Sequence, residues 1–177
     1  MEQRIDRVFV AGAGLMGHGI AQVHAQIGRQ VDLYEPDLAR AEAGRDRIVA
    51  NLERAVSKGR LTAGDRDATI ARIKPTADIV QSATAGLVIE AVYEDLEVKS
   101  WLLSDLDERA PAATLFATNT SSIAIADLAA AMRPPRRRRF IGMHFFSPVP
   151  VMPLVELIRG PDTDDATVEA IRALAVE

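Results

Sequence analysis

Gly12-Ala13-Gly14-Leu15-Met16-Gly17 decides the fold, because this stretch fits the pattern G-x-G-x-x-G at a junction between two predicted elements. An apolar run at residues 5–11 precedes it and predicts a strand, and the helical period that follows Gly17 predicts a helix. In such a turn the first glycine bends the chain, the second admits a pyrophosphate close to the backbone, and the third packs helix on strand. The free amides and the helix dipole then face the anion. The stretch therefore predicts a dinucleotide-binding turn in which all six residues contact the ligand.

An acid follows at the end of the next predicted strand, residues 30–35. Glu35 lies 18 residues after Gly17, where a carboxylate accepts hydrogen bonds from the adenosine ribose hydroxyls. The same charge would repel a 2′-phosphate, and the next residues, Pro36 and Asp37, supply no cation. We therefore expect NAD rather than NADP. A solvated acid with no ligand is the alternative.

Strand and helix patterns alternate along most of the remaining chain. Residues 37–73 predict a helical hairpin that turns at Gly59. Beyond it the sequence predicts a weak strand at 77–80, further strands at 87–92, 114–118, 140–145 and 154–158, and helices at 95–109, up to Met132, and at 164–176. We expect residues 1–177 to form one Rossmann-type domain, an α/β fold with a doubly wound, mostly parallel sheet and with ligands at the carboxyl ends of its strands.

The composition excludes several classes of protein. With 48% apolar and 26% charged residues the chain is expected to be globular, and its net charge of −4 recruits neither nucleic acid nor an anionic membrane. The absence of cysteine removes disulfides, thiolate metal sites and a cysteine nucleophile, and favours a cytoplasmic location. Residues 1–7 lack the apolar run of a signal peptide, and no apolar run is long enough for a membrane span. The histidines lack ligand spacing, so no metal is expected.

His144 and Glu156 suggest acid–base chemistry. His144 ends a predicted strand, and Glu156 follows 12 residues later, beyond the elbow Pro148-Val149-Pro150. An alcohol that loses a hydride also loses its hydroxyl proton, and an imidazole with a pKa of ~6.5 suits that exchange. A neighbouring carboxylate can orient the imidazole and stabilise its cation. A hydrogen-bonded histidine of the core is the alternative.

Two further segments carry a resemblance to a known family. Phe-Ala-Thr-Asn-Thr-Ser-Ser-Ile at 116–123 and Gly-Met-His-Phe-Phe-Ser-Pro-Val-Pro-Val-Met-Pro-Leu-Val-Glu at 142–156 resemble L-3-hydroxyacyl-CoA dehydrogenases, as does the glycine turn. The resemblance covers essentially the whole chain. It implies reversible, NAD-dependent oxidation of an L-3-hydroxyacyl-CoA to the 3-ketoacyl-CoA, with His144 as general base and acid and Glu156 as its partner.

The resemblance also implies roles for other residues around the coenzyme. Ser121 would contact the substrate oxygen near the nicotinamide, with a helix N-cap as the alternative. Glu94 and Lys99 would contact the nicotinamide half, although a lysine on a helix is often simply solvated. Ser147 stands where the family usually has asparagine, so its contact near the cofactor is expected to be weaker or water-mediated.

For the acyl-CoA substrate, the resemblance implies that Asn51 and Lys58 in the hairpin contact coenzyme A. The segment Arg136-Arg137-Arg138-Arg139 is expected to be a solvated loop of charges, with a phosphate-binding role as the alternative if the loop folds towards the site. Family members continue into a helical domain that covers the acyl chain and forms most of a dimer contact. We therefore expect this chain to bind NAD but to turn over acyl-CoA poorly alone, and a longer form to be a homodimer. The alternatives are an NAD-dependent dehydrogenase of the gulonate or carnitine type and a non-catalytic dinucleotide-binding protein.

Overall fold

The computed structural model describes residues 5–177. The strands are β1 (Arg7–Ala11), β2 (Gln30–Tyr34), β3 (Ile73–Thr76), β4 (Leu87–Glu90), β5 (Leu115–Thr118), β6 (Phe140–Phe145) and β7 (Val155–Arg159). The helices are α1 (Leu15–Gln26), α2 (Leu38–Ser57), α3 (Ala63–Ala71), α4 (Leu96–Arg109), α5 (Ile125–Ala130), α6 (Pro134–Arg137) and α7 (Asp165–Ala175). Residues 1–4, where the sequence predicts no signal peptide, lie outside the described residues.

The strands form one sheet in the order β3-β2-β1-β4-β5-β6-β7. Strands β1 to β6 pair in parallel, and β7 pairs antiparallel with β6. The chain winds outward from β1 first in one direction and then in the other, so the order reverses between β1 and β4. In sheets of this kind ligands bind beyond the carboxyl ends of the strands at that reversal. The predicted doubly wound fold is confirmed.

Both faces of the sheet are covered, which explains the continuous apolar strands. Along β1, Val8 and Val10 face a core layer that includes residues of α1, α2 and α7. Phe9 and Ala11 face the opposite layer, which includes residues of α4 and α5. The alternation follows from the two-residue period of a strand. Within residues 5–177, no helix is long and apolar enough to cross a membrane.

The helical hairpin forms where the sequence predicts it, between two side-chain caps. Asp37 accepts a hydrogen bond from the amide of Ala39 at the start of α2, and Thr62 accepts one from the amide of Asp65 at the start of α3. Without these caps the first amides of each helix would lack partners. The hairpin leads directly into the edge strand β3.

The predicted strand at residues 77–80 is wrong. The strand lies earlier, at Ile73–Thr76, and Ile79–Thr84 forms a 3-10 helix capped by Asp78, whose carboxylate accepts from the amide of Val80. Pro75 hides the strand from pattern analysis, because proline weakens a strand assignment. Since β3 is at the edge of the sheet, the missing N–H of Pro75 breaks no central ladder.

The expected solvated loop of arginines is also wrong for Arg136. This side chain is buried: its Nε donates to Asp107 Oδ1 over 2.8 Å, and its guanidinium lies 4.5 Å from the centre of the Phe116 ring. Further donors of the same guanidinium reach the backbone carbonyls of Ala110, Pro111 and Thr114. Burial of a charge is tolerated here because every side of the guanidinium finds a partner.

Candidate active site

A cleft of about 790 Å³ crosses the carboxyl edge of the sheet at the strand reversal. Its walls come from the glycine turn, the end of β2 and the loops that follow β4, β5 and β6. Most predicted site residues line this one cleft: Gly14, Leu15, Met16, Glu35, Glu94, Ser121, His144 and Ser147. The topology explains this meeting, because each of these residues lies at or just beyond the carboxyl end of a strand or opens the helix after one.

Each glycine of the turn meets a different steric demand. Gly12 has a φ of 105°, and a Cβ there would lie 2.6 Å from the carbonyl oxygen of Ala91. A Cβ at Gly17 would lie 1.7 Å from the carbonyl oxygen of Gly12, so the helix packs directly on the turn. A Cβ at Gly14 would meet nothing within 4 Å. The open side of the turn is therefore at Gly14, where α1 begins and its first amides lack partners within the helix.

Glu35 is tied to this turn. Its Oε1 accepts a hydrogen bond from the amide of Ala13 over 2.8 Å, so the acid that follows β2 lies beside the glycine turn. Arg40 also lines the cleft, and with Arg47 it lines an adjoining recess of about 480 Å³. Sequence reasoning looked for a cation only at the two residues after Glu35, Pro36 and Asp37. The structure shows that Arg40 brings a positive charge to the same part of the cleft. The start of α2 at Leu38 brings Arg40 back towards Glu35 within one turn.

His144 and Glu156 occupy opposite positions of the antiparallel pair β6–β7. Their side chains meet at 2.9 Å between Nδ1 and Oε2, and the ring of Phe146 lies 4.7 Å from the imidazole centre. The carboxylate favours the tautomer with the proton on Nδ1, because that proton completes the hydrogen bond. Nε2 has no hydrogen bond to any residue in 5–177, and His144 lines the cleft. The imidazole can thus exchange a proton at Nε2 with a group bound there.

Glu94 holds the loop that follows β5. Its Oε1 accepts hydrogen bonds from the hydroxyl of Thr120 at 2.6 Å and from the amides of Ser121 at 2.8 Å and Ser122 at 3.1 Å. Burial alone would raise the pKa of the Glu94 carboxyl, but the hydrogen bonds from Thr120 and Ser121 and the charge of Lys99 outweigh it. They lower that pKa to about 2. Glu94 is therefore an anion throughout the neutral range.

Ser121 is exposed at the cleft and does not cap a helix. Helix α5 begins only at Ile125, and its N-cap is Ala124, which offers no side-chain hydrogen bond. The alternative of a helix N-cap is therefore wrong for Ser121. Its hydroxyl donates a hydrogen bond to Glu94 Oε1 over 3.3 Å, and the residue lines the cleft.

Lys99 is not the solvated lysine that its place on a helix could suggest. The residue is completely buried, and its Nζ lies 2.7 Å from Glu90 Oε1 and 3.2 Å from Glu94 Oε2. Since its ammonium has almost no exposed surface, Lys99 does not line the cleft, and it reaches the cleft only through Glu94. Sequence reasoning missed Glu90, although a carboxylate within the apolar run Leu87–Val92 is itself a signal, because a buried charge needs a partner.

The predicted coenzyme A residues lie elsewhere. Asn51 is on α2, where its amide nitrogen reaches Gln22 Oε1 on α1 at 3.5 Å. Lys58 is exposed at the C-terminal end of α2. The structure does not bring either residue to the cleft. Ser147 does line it, immediately before a cis peptide bond to Pro148.

The glycine turn, the acid after β2 and the histidine–carboxylate pair define a dinucleotide-binding domain equipped for proton exchange at one end of its cleft. Residues 7–177 match the family described as 3-hydroxyacyl-CoA dehydrogenase, NAD binding domain. The chain belongs to this family, and NAD is its cofactor.

Proteins that are similar to this chain are named as dehydrogenases of acyl-CoA compounds. A 3-hydroxybutyryl-CoA dehydrogenase of Mycobacterium tuberculosis is 49% identical over 168 residues, which is 94% of this chain and 58% of that protein. The human mitochondrial hydroxyacyl-coenzyme A dehydrogenase is 41% identical over 94% of this chain and 54% of its own length. The crystal structure of M. tuberculosis FadB2 superposes with a TM-score of 0.94 at 46% identity, covering 98% of this chain and 60% of that one. The chain thus spans somewhat more than half the length of these relatives.

Proposed function

We propose that the chain holds NAD in the cleft and supplies the proton-exchanging groups for reversible oxidation of an L-3-hydroxyacyl-CoA. One observation carries the proposal: His144, which is hydrogen-bonded to Glu156, lines the same cleft as the open side of the glycine turn. The first amides of α1, which have no side-chain cap, and the space at Gly14 fit a pyrophosphate, and Glu35 fits a ribose. When bound, the nicotinamide supplies the hydride acceptor.

In the direction of oxidation, Nε2 of His144 accepts the proton of the substrate hydroxyl. Glu156 then stabilises the imidazolium through Nδ1, and in the reverse direction His144 returns the proton. The hydroxyl of Ser121, which donates to Glu94 Oε1, turns this hydrogen bond to the substrate oxygen when the substrate binds. Glu94 contributes by keeping Ser121 at the cleft, through the bond from its amide.

The substrate class is proposed from the relatives, whose names specify acyl-CoA compounds. Asn51 and Lys58 lie on and at the end of α2, outside the cleft, and are proposed to contact the coenzyme A part of the substrate there, with Lys58 supplying a positive charge for a phosphate. We propose that this chain alone binds NAD but turns over acyl-CoA poorly, because a cleft open to water orients its substrate weakly. A cytoplasmic location, and a homodimer for a longer form, belong to the same proposal.

The test combines binding and turnover on this chain. NADH fluorescence titration should show saturable binding, and oxidation of NADH by acetoacetyl-CoA should run far below the rate of a full-length relative. Free 3-hydroxy acids added in excess should not compete with the acyl-CoA. Turnover equal to that of the full-length relative would contradict the expected weak activity, and a lack of NADH binding would contradict the proposal as a whole.

A further inference from the structure

We infer that Arg40 and Arg47 form a phosphate-binding recess beside Glu35, through which the chain accepts NADP(H) in addition to NAD(H). NADP(H) differs from NAD(H) by one phosphate, which is attached to the 2′-oxygen of the adenosine ribose. The inference rests on the proposed function, since Glu35 marks the ribose position only if the coenzyme lies in the cleft. It concerns the choice of coenzyme, and it gives a role to two arginines that the sequence pattern did not single out.

The recess, with a volume of about 480 Å³, adjoins the coenzyme cleft. Residues that line both spaces are Gly14, Leu15, Glu35 and Arg40. The other residues that line the recess are Ala13 and His18 on the side of the glycine turn, and Ala43 and Arg47 on α2. A phosphate attached to a ribose at Glu35 would therefore lie next to the recess.

Helix α2 packs directly against the glycine turn. A Cβ at Gly44 would lie 2.6 Å from the Cβ of Ala13 and 2.9 Å from its carbonyl oxygen, so the close approach requires a glycine. Arg40 and Arg47 lie one turn before and one turn after Gly44. Because Arg40, Ala43 and Arg47 are spaced by three and four residues, they share one face of the helix. The short side chain of Ala43 leaves room between the two longer ones.

Both guanidinium groups are available to an anion. Within residues 5–177 neither Arg40 nor Arg47 makes a side-chain hydrogen bond or an ion pair, and both residues are exposed. Arg54, further along the same helix, differs from them. Its Nε donates to the carbonyl oxygen of Ala50 over 3.4 Å, and the residue does not line the recess.

The charges around the recess favour a phosphate despite Glu35. A phosphate monoester carries about −1.5 to −2 charges near neutral pH. Two guanidinium groups and one carboxylate leave a net positive charge, and each guanidinium can hold a phosphate through two parallel N–H bonds. The Glu35 carboxylate is also stabilised at the glycine turn by the amide of Ala13. The two arginines therefore offset the repulsion between Glu35 and a 2′-phosphate.

The experiment compares NADH and NADPH by isothermal titration calorimetry on the unmodified chain and on Arg40→Gln/Arg47→Gln. We expect the unmodified chain to bind the two coenzymes with Kd values within about tenfold of each other. In the double variant the NADPH Kd should rise more than about tenfold, because two charged hydrogen-bond donors are lost, whereas the NADH Kd should stay within about twofold. Arg54→Gln is the control, because it removes a charge from the same helix outside the recess, and it should change neither Kd by more than about twofold.

Three results would overturn the inference. The first is an NADPH Kd that the double variant leaves unchanged. The second is an NADPH Kd that rises by the same factor as the NADH Kd, which would indicate an effect of net charge alone. The third is an unmodified chain that binds NADH but not NADPH.

Two adenosine bisphosphates identify the phosphate that the recess recognises. Adenosine 2′,5′-bisphosphate carries the 2′-phosphate of NADP(H), and adenosine 3′,5′-bisphosphate carries the 3′-phosphate of coenzyme A. The 2′ isomer should bind the unmodified chain about tenfold more tightly than the 3′ isomer, and the difference should disappear in the double variant. Equal or tighter binding of the 3′ isomer would assign the arginines to coenzyme A and overturn the inference. An unmodified chain that fails to bind NADH would instead contradict the proposed function, while the 2′ isomer would still test the recess.

Discussion

His144 and Glu156 face each other directly across the antiparallel strands β6 and β7, with 2.9 Å between Nδ1 and Oε2. Strand β7, the one strand of residues 5–177 that pairs antiparallel, makes this possible, because a return strand can place a partner opposite the last residues of β6 without a crossover helix. The side chain of His144 is 20% exposed and that of Glu156 is 55% exposed, so the carboxylate is the more solvated member of the pair. Of the two residues, His144 lines the cleft.

His144→Gln is expected to lower the rate of the hydride-transfer reaction by about 10²- to 10⁴-fold, the usual contribution of a positioned general base. Glu156→Gln should cost less, roughly tenfold, because a half-exposed ion pair contributes on the order of 1 kcal/mol. Single-turnover oxidation of NADH with acetoacetyl-CoA measures both. NADH titration is the control, since neither change should alter coenzyme affinity more than about twofold. Equal rates for His144→Gln and the unmodified chain would remove the histidine from the mechanism.

Substitution by alanine should affect a different property at each of two glycines of the turn, which are stability at Gly17 and coenzyme affinity at Gly14. Gly17→Ala places a Cβ 1.7 Å from the Gly12 carbonyl oxygen and is expected to destabilise the fold by about 3 kcal/mol or more. Gly14→Ala meets no atom within 4 Å and should leave stability within about 0.5 kcal/mol. The added methyl lies where we propose that the pyrophosphate binds, so NADH affinity should fall more than tenfold. Urea unfolding measures the stability of both variants, and NADH titration measures their coenzyme affinity. An unchanged NADH Kd in Gly14→Ala would show that the coenzyme phosphates do not bind at Gly14.

Much of the fold was predictable because local signals agree with the global topology. Apolar runs of four to six residues marked the central strands, and Asp37 and Thr62 marked the starts of the hairpin helices. The strand β3 was not predictable from its pattern. It is short and contains Pro75, and only its pairing with β2 at the sheet edge stabilises it.

The candidate site was predictable where residues follow strand ends and unpredictable where charges meet in the core. Sequence spacing led to Glu35, His144 and Glu156. It did not reveal that Lys99 is buried between two carboxylates, because a lysine on a helix gives the same pattern whether it faces water or core. Such pairings depend on tertiary contacts between β4 and α4, which a local pattern does not encode.

Coenzyme choice is expected to depend on Glu35 and Arg40 together. Glu35→Ala should weaken NADH binding about tenfold, because hydrogen bonds to a charged acceptor contribute about 1.5–3 kcal/mol. The same variant should bind NADPH better than the unmodified chain does, since Arg40 and Arg47 line the recess beside residue 35 and can pair with a 2′-phosphate. Glu35→Ala/Arg40→Ala is the matched variant, in which this gain should disappear. Titrations with NADH and NADPH measure the two Kd values. If the ratio of these Kd values in Glu35→Ala equals that of the unmodified chain, Glu35 does not take part in the recognition of the adenosine ribose.

Arg136→Met should lower the free energy of unfolding by about 3–5 kcal/mol, the usual effect of removing one partner of a buried ion pair. Asp107 keeps a hydrogen bond from the exposed Arg133, which moderates the loss. Arg138→Met is the control, because Arg138 is exposed and lies 3.7 Å from Asp164, and it should change stability by less than about 1 kcal/mol. Urea unfolding measures both variants. Equal stabilities would show that the contacts of Arg136 with Asp107 and Phe116 contribute nothing net.

His24 should make the fold sensitive to mild acid. Burial, together with the nearby charge of Arg29, lowers the pKa of His24 to about 3, and neither ring nitrogen has a hydrogen-bond partner among residues 5–177. Because this pKa lies below the value of ~6.5 in an unfolded chain, the unfolded state takes up the proton first. Neutral His24 therefore stabilises the fold fully above pH 6.5, and this contribution to the free energy of unfolding is lost as the pH falls towards 3.

Between pH 6.5 and 4.5 the free energy of unfolding should therefore fall by about 2 kcal/mol because of His24 alone. Glu94 contributes little to this fall. Its pKa is lowered from 4.5 to about 2, so the stabilisation that its charged form gives the fold is lost below about pH 4.5. His24→Leu should flatten the dependence, whereas His18→Gln, at a half-exposed position, should retain it. Urea unfolding at several pH values gives the slopes. If the free energy of unfolding of His24→Leu falls between pH 6.5 and 4.5 as steeply as that of the unmodified chain, a group other than His24 takes up the proton.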